Sequence, residues 1–467
     1  MDPISLSMPA NLVVDADLLR KYGGAGPRYT SYPTADRFVD AFDADAYRRS
    51  LRNRSLGGRL RSLSLYVHHP FCEAVCYYCA CNKIASRHRD RADPYLRRLL
   101  VEMRLVAGVL GRDRRIRSMH WGGGTPTFMG MERLAELAQS LRREFDFDPS
   151  GEYSIEIDPR RLAEGDFPRL ADMGFNRASL GVQDFNPEVQ AAVNRVQTFE
   201  QVLAAVRDAR AAGFRSVNMD LILGLPKQTP ERFEQTLDKT LRCAPDRIAL
   251  YSYAHLPHLF KPQRRIAPAD LPAPETKLQM LMHAVRRLTE AGYEYIGMDH
   301  FARPDDDLAL AMREGRLRRD FQGYSSLDAD TIGLGVSAIS SIGAAYGQNV
   351  KDLDGYNACI DAGELPVARG IELGADDVLR RAIIQSLACQ FAVSKEAFSV
   401  GYLIDFDHYF AAEAEQLKLL EDDGLIESDA EWIHVTPRGR LLVRSVCMVF
   451  DRYLQADRQR SRYSRIM

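Results

Sequence analysis

The run Tyr66-Val67-His68-His69-Pro70-Phe71-Cys72-Glu73-Ala74-Val75-Cys76-Tyr77-Tyr78-Cys79-Ala80-Cys81 holds four of the chain's eight cysteines within ten residues, spaced C-x3-C-x2-C-x-C. The other four, Cys243, Cys359, Cys389 and Cys447, stand singly, as small buried core residues do. Disulfides account poorly for the cluster, because neighbouring half-cystines close very small loops in strained geometry. Zinc is a rival, yet structural zinc sites usually draw ligand pairs from two separated knuckles, and no second Cys/His knuckle stands out. Three thiolates on one loop suit three irons of a [4Fe–4S] cube and leave the fourth iron open.

Outward from this loop the chain alternates strand and helix. Residues 62–67 read as the strand that delivers the cysteines. Asp93-Pro94 reads as the N-cap and first-turn pair of a helix with Tyr95, Leu96, Leu99, Leu100, Met103, Val106 and Leu110 on one face. A strand at 116–121 ends in Gly122-Gly123-Gly124-Thr125-Pro126-Thr127, and a helix through Leu134, Leu137 and Leu141 follows. Strands at 153–157, 177–182 and 216–223 end at Asp158-Pro159-Arg160, Gln183-Asp184-Phe185 and Gly224-Leu225-Pro226, and a sixth strand spans 247–253. Thr198 with Gln201 makes a capping box for a helix that Gly213 closes, and Thr229-Pro230 opens the next. Six β/α units with polar or glycine-rich strand ends predict an α/β fold, an open partial (β/α)6 TIM-like barrel whose ligand site lies at the C-terminal edge of the strands. A doubly wound sheet is the alternative this pattern allows.

An N-terminal arm precedes the barrel. After a helix near residues 15–22, Gly26-Pro27-Arg28-Tyr29-Thr30-Ser31-Tyr32-Pro33-Thr34 is held extended by its prolines. It reads equally as a packed surface segment or as a lid over a polar ligand. After residue 300 the alternation fades, and Gly323-Tyr324 and the small-residue run at 333–340 permit close backbone approach. From Asp376 the chain is mostly helical, with a helix, turn, short hairpin, helix order that resembles a winged helix. Its acidic run Glu421-Asp422-Asp423 would repel phosphate and favours a cap beside the barrel over DNA contact. The expected domains are an arm or lid at 1–55, the barrel with its cover segment at 56–375, and a helical domain at 376–467.

With 467 residues the chain is long enough for two or three domains. A formal charge of −2 argues against a dedicated nucleic-acid binder. No apolar run approaches the ~18 residues of a membrane span, and the first residues lack a basic region followed by an apolar core. Clustered thiolates fit a reducing compartment, so a cytoplasmic protein is expected.

The C-x3-C-x2-C core followed by Gly-Gly-Gly-Thr-Pro-Thr resembles the signature of the radical S-adenosylmethionine (SAM) superfamily. The likeness sharpens at Cys79-Ala80-Cys81-Asn82-Lys83, Gly181-Val182-Gln183-Asp184-Phe185, Gly297-Met298-Asp299-His300-Phe301-Ala302, residues 335–340 and the arm at 27–34. In this order, from about residue 15 to the C-terminus, the set resembles the oxygen-independent coproporphyrinogen III oxidases (dehydrogenases) of haem biosynthesis.

That resemblance implies a radical SAM oxidoreductase that oxidatively decarboxylates two propionates of coproporphyrinogen III to vinyl groups, giving protoporphyrinogen IX. Cys72, Cys76 and Cys79 would ligate a [4Fe–4S] cluster whose open iron takes the amino and carboxylate groups of SAM. Cys81 would be required without binding iron, and with Glu156 it is the expected catalytic residue. Carried over by position, SAM contacts fall on Tyr66, Tyr78, Gly123, Gly124, Thr125, Glu156, Gln183, Arg195, Asp220, Ala254 and Ile339. By residue type, Asp220 and Glu156 suit ribose hydroxyls or an ammonium, and Arg195 suits a carboxylate. The family further implies a second SAM molecule and a reduced flavodoxin or similar electron donor. A monomer with neither nucleic-acid nor membrane partners is expected. Arg28 and Lys83 are candidate partners for substrate propionates, which must not be buried unpaired. The rival is a haem chaperone of the same superfamily, but such relatives resemble this chain less in the arm and typically have Phe where Cys81 stands.

Overall fold

The computed structural model describes residues 16–54 and 61–456. One twelve-stranded sheet organises them, with strands β1 Ser62–His69, β2 Arg115–Gly123, β3 Asp146–Ile157, β4 Arg177–Gln183, β5 Ser216–Leu223, β6 Arg247–Ser252, β7 Glu294–Gly297, β8 His300–Ala302, β9 Ala329–Leu334, β10 Ile339–Ile342, β11 Ala345–Asn349 and β12 Val367–Glu372. Their order is β12-β11-β10-β9-β1-β2-β3-β4-β5-β6-β8-β7. Strands β1 to β6 are parallel and neighbour one another in chain order. A doubly wound sheet would reverse direction at a switch point; this one winds one way and stays open, as a partial barrel.

Side-chain alternation explains the winding. Leu63, Leu65 and Val67, then Ile155 and Ile157, Ala178 and Leu180, and Val217, Met219 and Leu221 are buried on the sheet face that receives the helices. The intervening positions are polar at Ser154 and Glu156, Ser179, and Asn218 and Asp220, so the opposite face forms a polar interior. At the N-terminal end of the strands Arg247 Nε holds Asp306 at 2.8 Å, and Arg177 reaches the same carboxylate at 3.5 Å and Glu152 at 3.2 Å. This network fills the base of the barrel.

The structure corrects four local expectations. Asp93 is not an N-cap: the helix Ala92–Leu110 follows directly on a 3-10 turn, with Arg91 at its cap position making no side-chain cap bond, and Asp93 instead pairs with Arg133. Beyond residue 300 the chain rejoins the sheet. There β9 runs parallel to β1, and β10, β11 and β12 add antiparallel neighbours. Gly333 of the small-residue run lies within β9 and breaks its apolar pattern. The sixth strand ends at Ser252, one residue short of the expected limit. The arm is not uniformly extended, because Tyr29 sits at φ 47° and the Tyr32–Pro33 peptide is cis.

The arm is packed. Tyr29 and Tyr32 are 1% exposed, and Tyr29 donates to Asp451 at 3.0 Å. Arg444 Nε donates to the Pro27 carbonyl at 3.0 Å, tying the arm to the C-terminal helices. The first helix covers Ala16–Tyr22, and residue 15 lies outside the described part. Toward the C-terminus the three-stranded sheet of Ala392–Ser394, Trp432–Val435 and Ile426–Ser428 lies among helices, the winged-helix-like arrangement. Asp423 of its acidic run is paired to Lys21 of the first helix. Among the described residues no helix is long and apolar enough to cross a membrane.

Candidate active site

Strand β1 ends at His69, and the cysteine loop begins there. Phe71–Cys72 pairs in parallel with Ile84–Ala85, so the loop closes on itself before the chain leaves. Cys72, Cys76, Cys79 and Cys81 all carry free thiols and line one cavity of about 330 Å³ at the C-terminal edge of the sheet. The same cavity is lined by Tyr78, Lys83, Gly123, Gly124, Thr125, Glu156, Gln183, Arg195 and Asp220, bringing together the expected ligands and most of the expected SAM contacts. Among the described residues no three His, Cys, Asp or Glu groups converge as a single-ion site.

Polar and cationic groups lie against the sulfurs, and the thiolate is favoured at Cys79. Thr125 Oγ1 lies 3.7 Å from Cys72 Sγ, and Arg195 Nη1 lies 3.6 Å from Cys76 Sγ. A hydrogen bond from the Cys81 thiol lowers Cys79 to about 5, with Lys83 adding to the effect. The reverse side of the same hydrogen bond raises Cys81. Burial pushes Cys72 up to about 11. A soft three-sulfur donor set with cations beside it fits an iron–sulfur cluster. Gly124 leaves the room. A Cβ there would stand 2.6 Å from the Phe71 carbonyl oxygen and 3.0 Å from Cys72 Sγ.

Three strand ends supply the other wall. Glu156 of β3 accepts the Gly123 N–H at 3.1 Å on one oxygen and meets His120 Nε2 at 3.1 Å on the other. Burial raises its affinity for a proton, but His120 and the Gly123 N–H outweigh that and hold the carboxyl below its ordinary range. Asp220 of β5 is pushed up to about 6, first by burial and then by the Glu156 charge. It accepts bonds from Ser179 at 3.1 Å and Asn218 at 2.8 Å. Gln183 ends β4 at φ 70°. Arg195 donates to the Gly181 carbonyl at 3.1 Å and pairs with Asp158 at 3.3 Å, while Arg160 grips Asp158 at 2.6 Å.

Three expected contacts do not line this cavity. Tyr66 lies further down β1, its ring stacked on His120 with centroids 6.0 Å apart. Ala254 follows the end of β6 and is half-buried. Ile339 opens β10, and its backbone approaches Gly333. Of the two candidate propionate partners, Lys83 lines the cavity and reaches the Cys79 carbonyl at 3.2 Å. Arg28 is paired with Asp299 and lies over the Tyr251 ring at 5.2 Å. Sequence reasoning passed over Asp158, Arg160, Ser179 and Tyr251, which also line the cavity. The sequence carries a signal for two of them, since Asp158-Pro159-Arg160 reads as a polar strand end.

Residues 66–240 match the Radical SAM superfamily, and residues 373–442 match the HemN C-terminal domain. The oxygen-independent coproporphyrinogen III oxidase of Pseudomonas aeruginosa is 49% identical, over 97% of this chain and 98% of its own length. Its namesake from Escherichia coli K12 is 46% identical over 97% and 98%. A solved structure described as coproporphyrinogen III oxidase (HemN) from Escherichia coli, a radical SAM enzyme, superposes with a TM-score of 0.89 at 45% identity. It covers 95% of this chain and all of that one.

Proposed function

The chain belongs to the oxygen-independent coproporphyrinogen III oxidase family of the radical SAM superfamily, and on that premise we propose that it oxidatively decarboxylates two propionates of coproporphyrinogen III to vinyl groups. The product is protoporphyrinogen IX, and the setting is haem biosynthesis. The observation that carries the reading is the single cavity joining Cys72, Cys76 and Cys79 to the ends of β2, β3, β4 and β5.

A [4Fe–4S] cluster would be held by these three cysteines, and SAM by Gly123, Gly124, Thr125, Glu156, Gln183, Arg195 and Asp220, with Tyr66, Tyr78, Ala254 and Ile339 as further contacts. The chemistry these groups supply when bound is reductive cleavage of SAM to a 5′-deoxyadenosyl radical able to take a hydrogen from a propionate β-carbon. Loss of CO2 from that substrate radical, with one electron passing to an external one-electron acceptor, would then leave the vinyl group.

The chain's own residues bind and orient. Arg195, anchored by Asp158 and the Gly181 carbonyl, presents a fixed guanidinium to a carboxylate. Glu156, kept ionised, offers a carboxylate to an ammonium or to ribose hydroxyls. Cys81 stands exposed at the rim and bonds to Cys79, which suits a group that serves the substrate instead of the cluster. A reduced flavodoxin or similar donor, a monomeric chain, a second SAM, no nucleic-acid partner and a cytoplasmic location complete the proposal on the family resemblance.

The test is anaerobic incubation of the reconstituted protein with SAM, reductant and coproporphyrinogen III. Release of CO2 and appearance of the divinyl product are expected. Tight haem binding with neither product would replace the enzyme reading with the chaperone one.

A further inference from the structure

A second cavity, of about 420 Å³, shares no lining residue with the cysteine cavity. Four arginines line it, Arg61, Arg318, Arg319 and Arg381, against two aspartates, Asp320 and Asp328. Arg61 meets Asp328 at 3.6 Å, both half-exposed. Arg318 and Arg381 donate to the carbonyls of Leu317 and Gly343, at 2.9 and 3.0 Å. Arg319 is 5% exposed; its Nε donates to the Arg28 carbonyl at 2.9 Å, but its buried Nη1 has no partner among the described residues. A buried guanidinium N–H without an acceptor is costly, and so is surplus buried charge. With four arginines against two aspartates in its lining, the cavity has the chemistry of an anion site.

Its walls add a second requirement. Tyr346 carries Arg381 over its ring at 5.9 Å and takes Phe321 edge-on at 6.1 Å. Phe398 and Tyr402 stack 5.8 Å apart, 8° from parallel. Guanidinium forks beside aromatic faces suit carboxylates carried on a flat hydrocarbon. A narrow polar cavity of about 130 Å³ shares Glu156, Ser179, Asp220 and Tyr251 with the cysteine cavity. It also reaches Gln322 and Tyr324, beside Arg318–Asp320 in the same antiparallel hairpin segment.

We infer that the Arg61, Arg318, Arg319 and Arg381 cavity anchors propionates of the tetrapyrrole substrate that are not at the cysteine cavity. This rests on the proposed reaction for the identity of the ligand and on the cavity for the site.

The test titrates the reconstituted holoprotein with coproporphyrin III, the stable oxidised tetracarboxylate, following porphyrin fluorescence. R318Q and R381Q are each expected to bind about tenfold more weakly, the loss of roughly one charge-assisted contact, and to raise the KM for coproporphyrinogen III in step. Unchanged affinity in both variants, with thermal midpoints equal to wild type, overturns the site. Displacement of the porphyrin by an equal concentration of inorganic phosphate also overturns it, because that marks a general anion site. Wild-type turnover with both variants unaffected leaves the reaction standing and removes the site. Weakened porphyrin binding in the variants without wild-type turnover keeps the site and removes the reaction.

Discussion

His120 Nε2 lies 3.1 Å from Glu156 Oε1, one strand away, while Glu156 Oε2 accepts the backbone N–H of Gly123. The carboxylate is thus pinned from two sides. The imidazole is itself fixed, with Nδ1 2.6 Å from Ser154 Oγ and its ring stacked on Tyr66. An ionised Glu156 makes Nε2 the donor. This chain of contacts links Tyr66, which does not line the cavity, to a residue that does.

His120→Ala should therefore raise the KM for SAM about tenfold, the loss of one hydrogen bond to a charged group, with kcat at saturating SAM changing far less. His120→Gln, whose amide can donate to Glu156, should recover most of the affinity. Steady-state kinetics at varied SAM decide this. An unchanged KM in the alanine variant would show that Glu156 needs no orientation by His120.

Gly124→Ala should cost the cluster. The added Cβ meets the Phe71 and His69 carbonyl oxygens at 2.6 and 2.9 Å and Cys72 Sγ at 3.0 Å, and main-chain atoms cannot step aside as a flexible side chain can. The cysteine loop must shift, so reconstituted protein should hold well under one cluster per chain by iron and sulfide analysis. Full cluster loading would mean that the loop adapts.

The parallel strands and the cysteine loop were legible because each strand alternates apolar and polar residues and each ends in a glycine or polar run. The pattern that reveals Ser154 and Glu156 also places them in the barrel interior. What could not be read are pairings across long sequence distances. Glu102 sits on a helix whose apolar face was plain, yet it is buried because its three donors come from residues 233, 247 and 254 positions away. Likewise β9 is hard to read because Gly333 breaks its alternation, and β10 to β12 are short strands of four to six residues. The basic cavity also collects arginines from separate segments, and nothing local joins Arg61 to Arg381.

Cys72→Ser and Cys81→Ser should separate two roles within one loop. Cys72 touches Thr125 and lies under Gly124, so its loss should abolish the cluster's brown colour. Cys81→Ser should keep the cluster, by absorption and iron content, and lose product formation by at least about a hundredfold, some 2.7 kcal/mol of barrier. Loss of the cluster in Cys81→Ser would make it a ligand.

Glu102 makes stability depend on pH in an unusual direction. Its carboxylate accepts from Gly335 N–H at 2.7 Å, Asn349 at 2.7 Å and Tyr356 at 2.6 Å, with no cation paired to it among the described residues. Burial raises its pKa to about 7, against the partial opposition of those three donors. Below the ordinary glutamate range it is neutral in both folded and unfolded chains, and no penalty applies. As pH rises toward 7 the unfolded chain releases the proton first, so folding loses stability, by about 3 kcal/mol at most for a shift of this size. Glu102→Gln cannot ionise and should lack that component. Its amide nitrogen faces Asn349 Nδ2 in place of an acceptor, so the variant should start less stable at pH 5 and close the gap by pH 8. Urea unfolding of both proteins across that range measures the difference, and parallel pH profiles would show that the buried carboxyl keeps the same proton folded and unfolded.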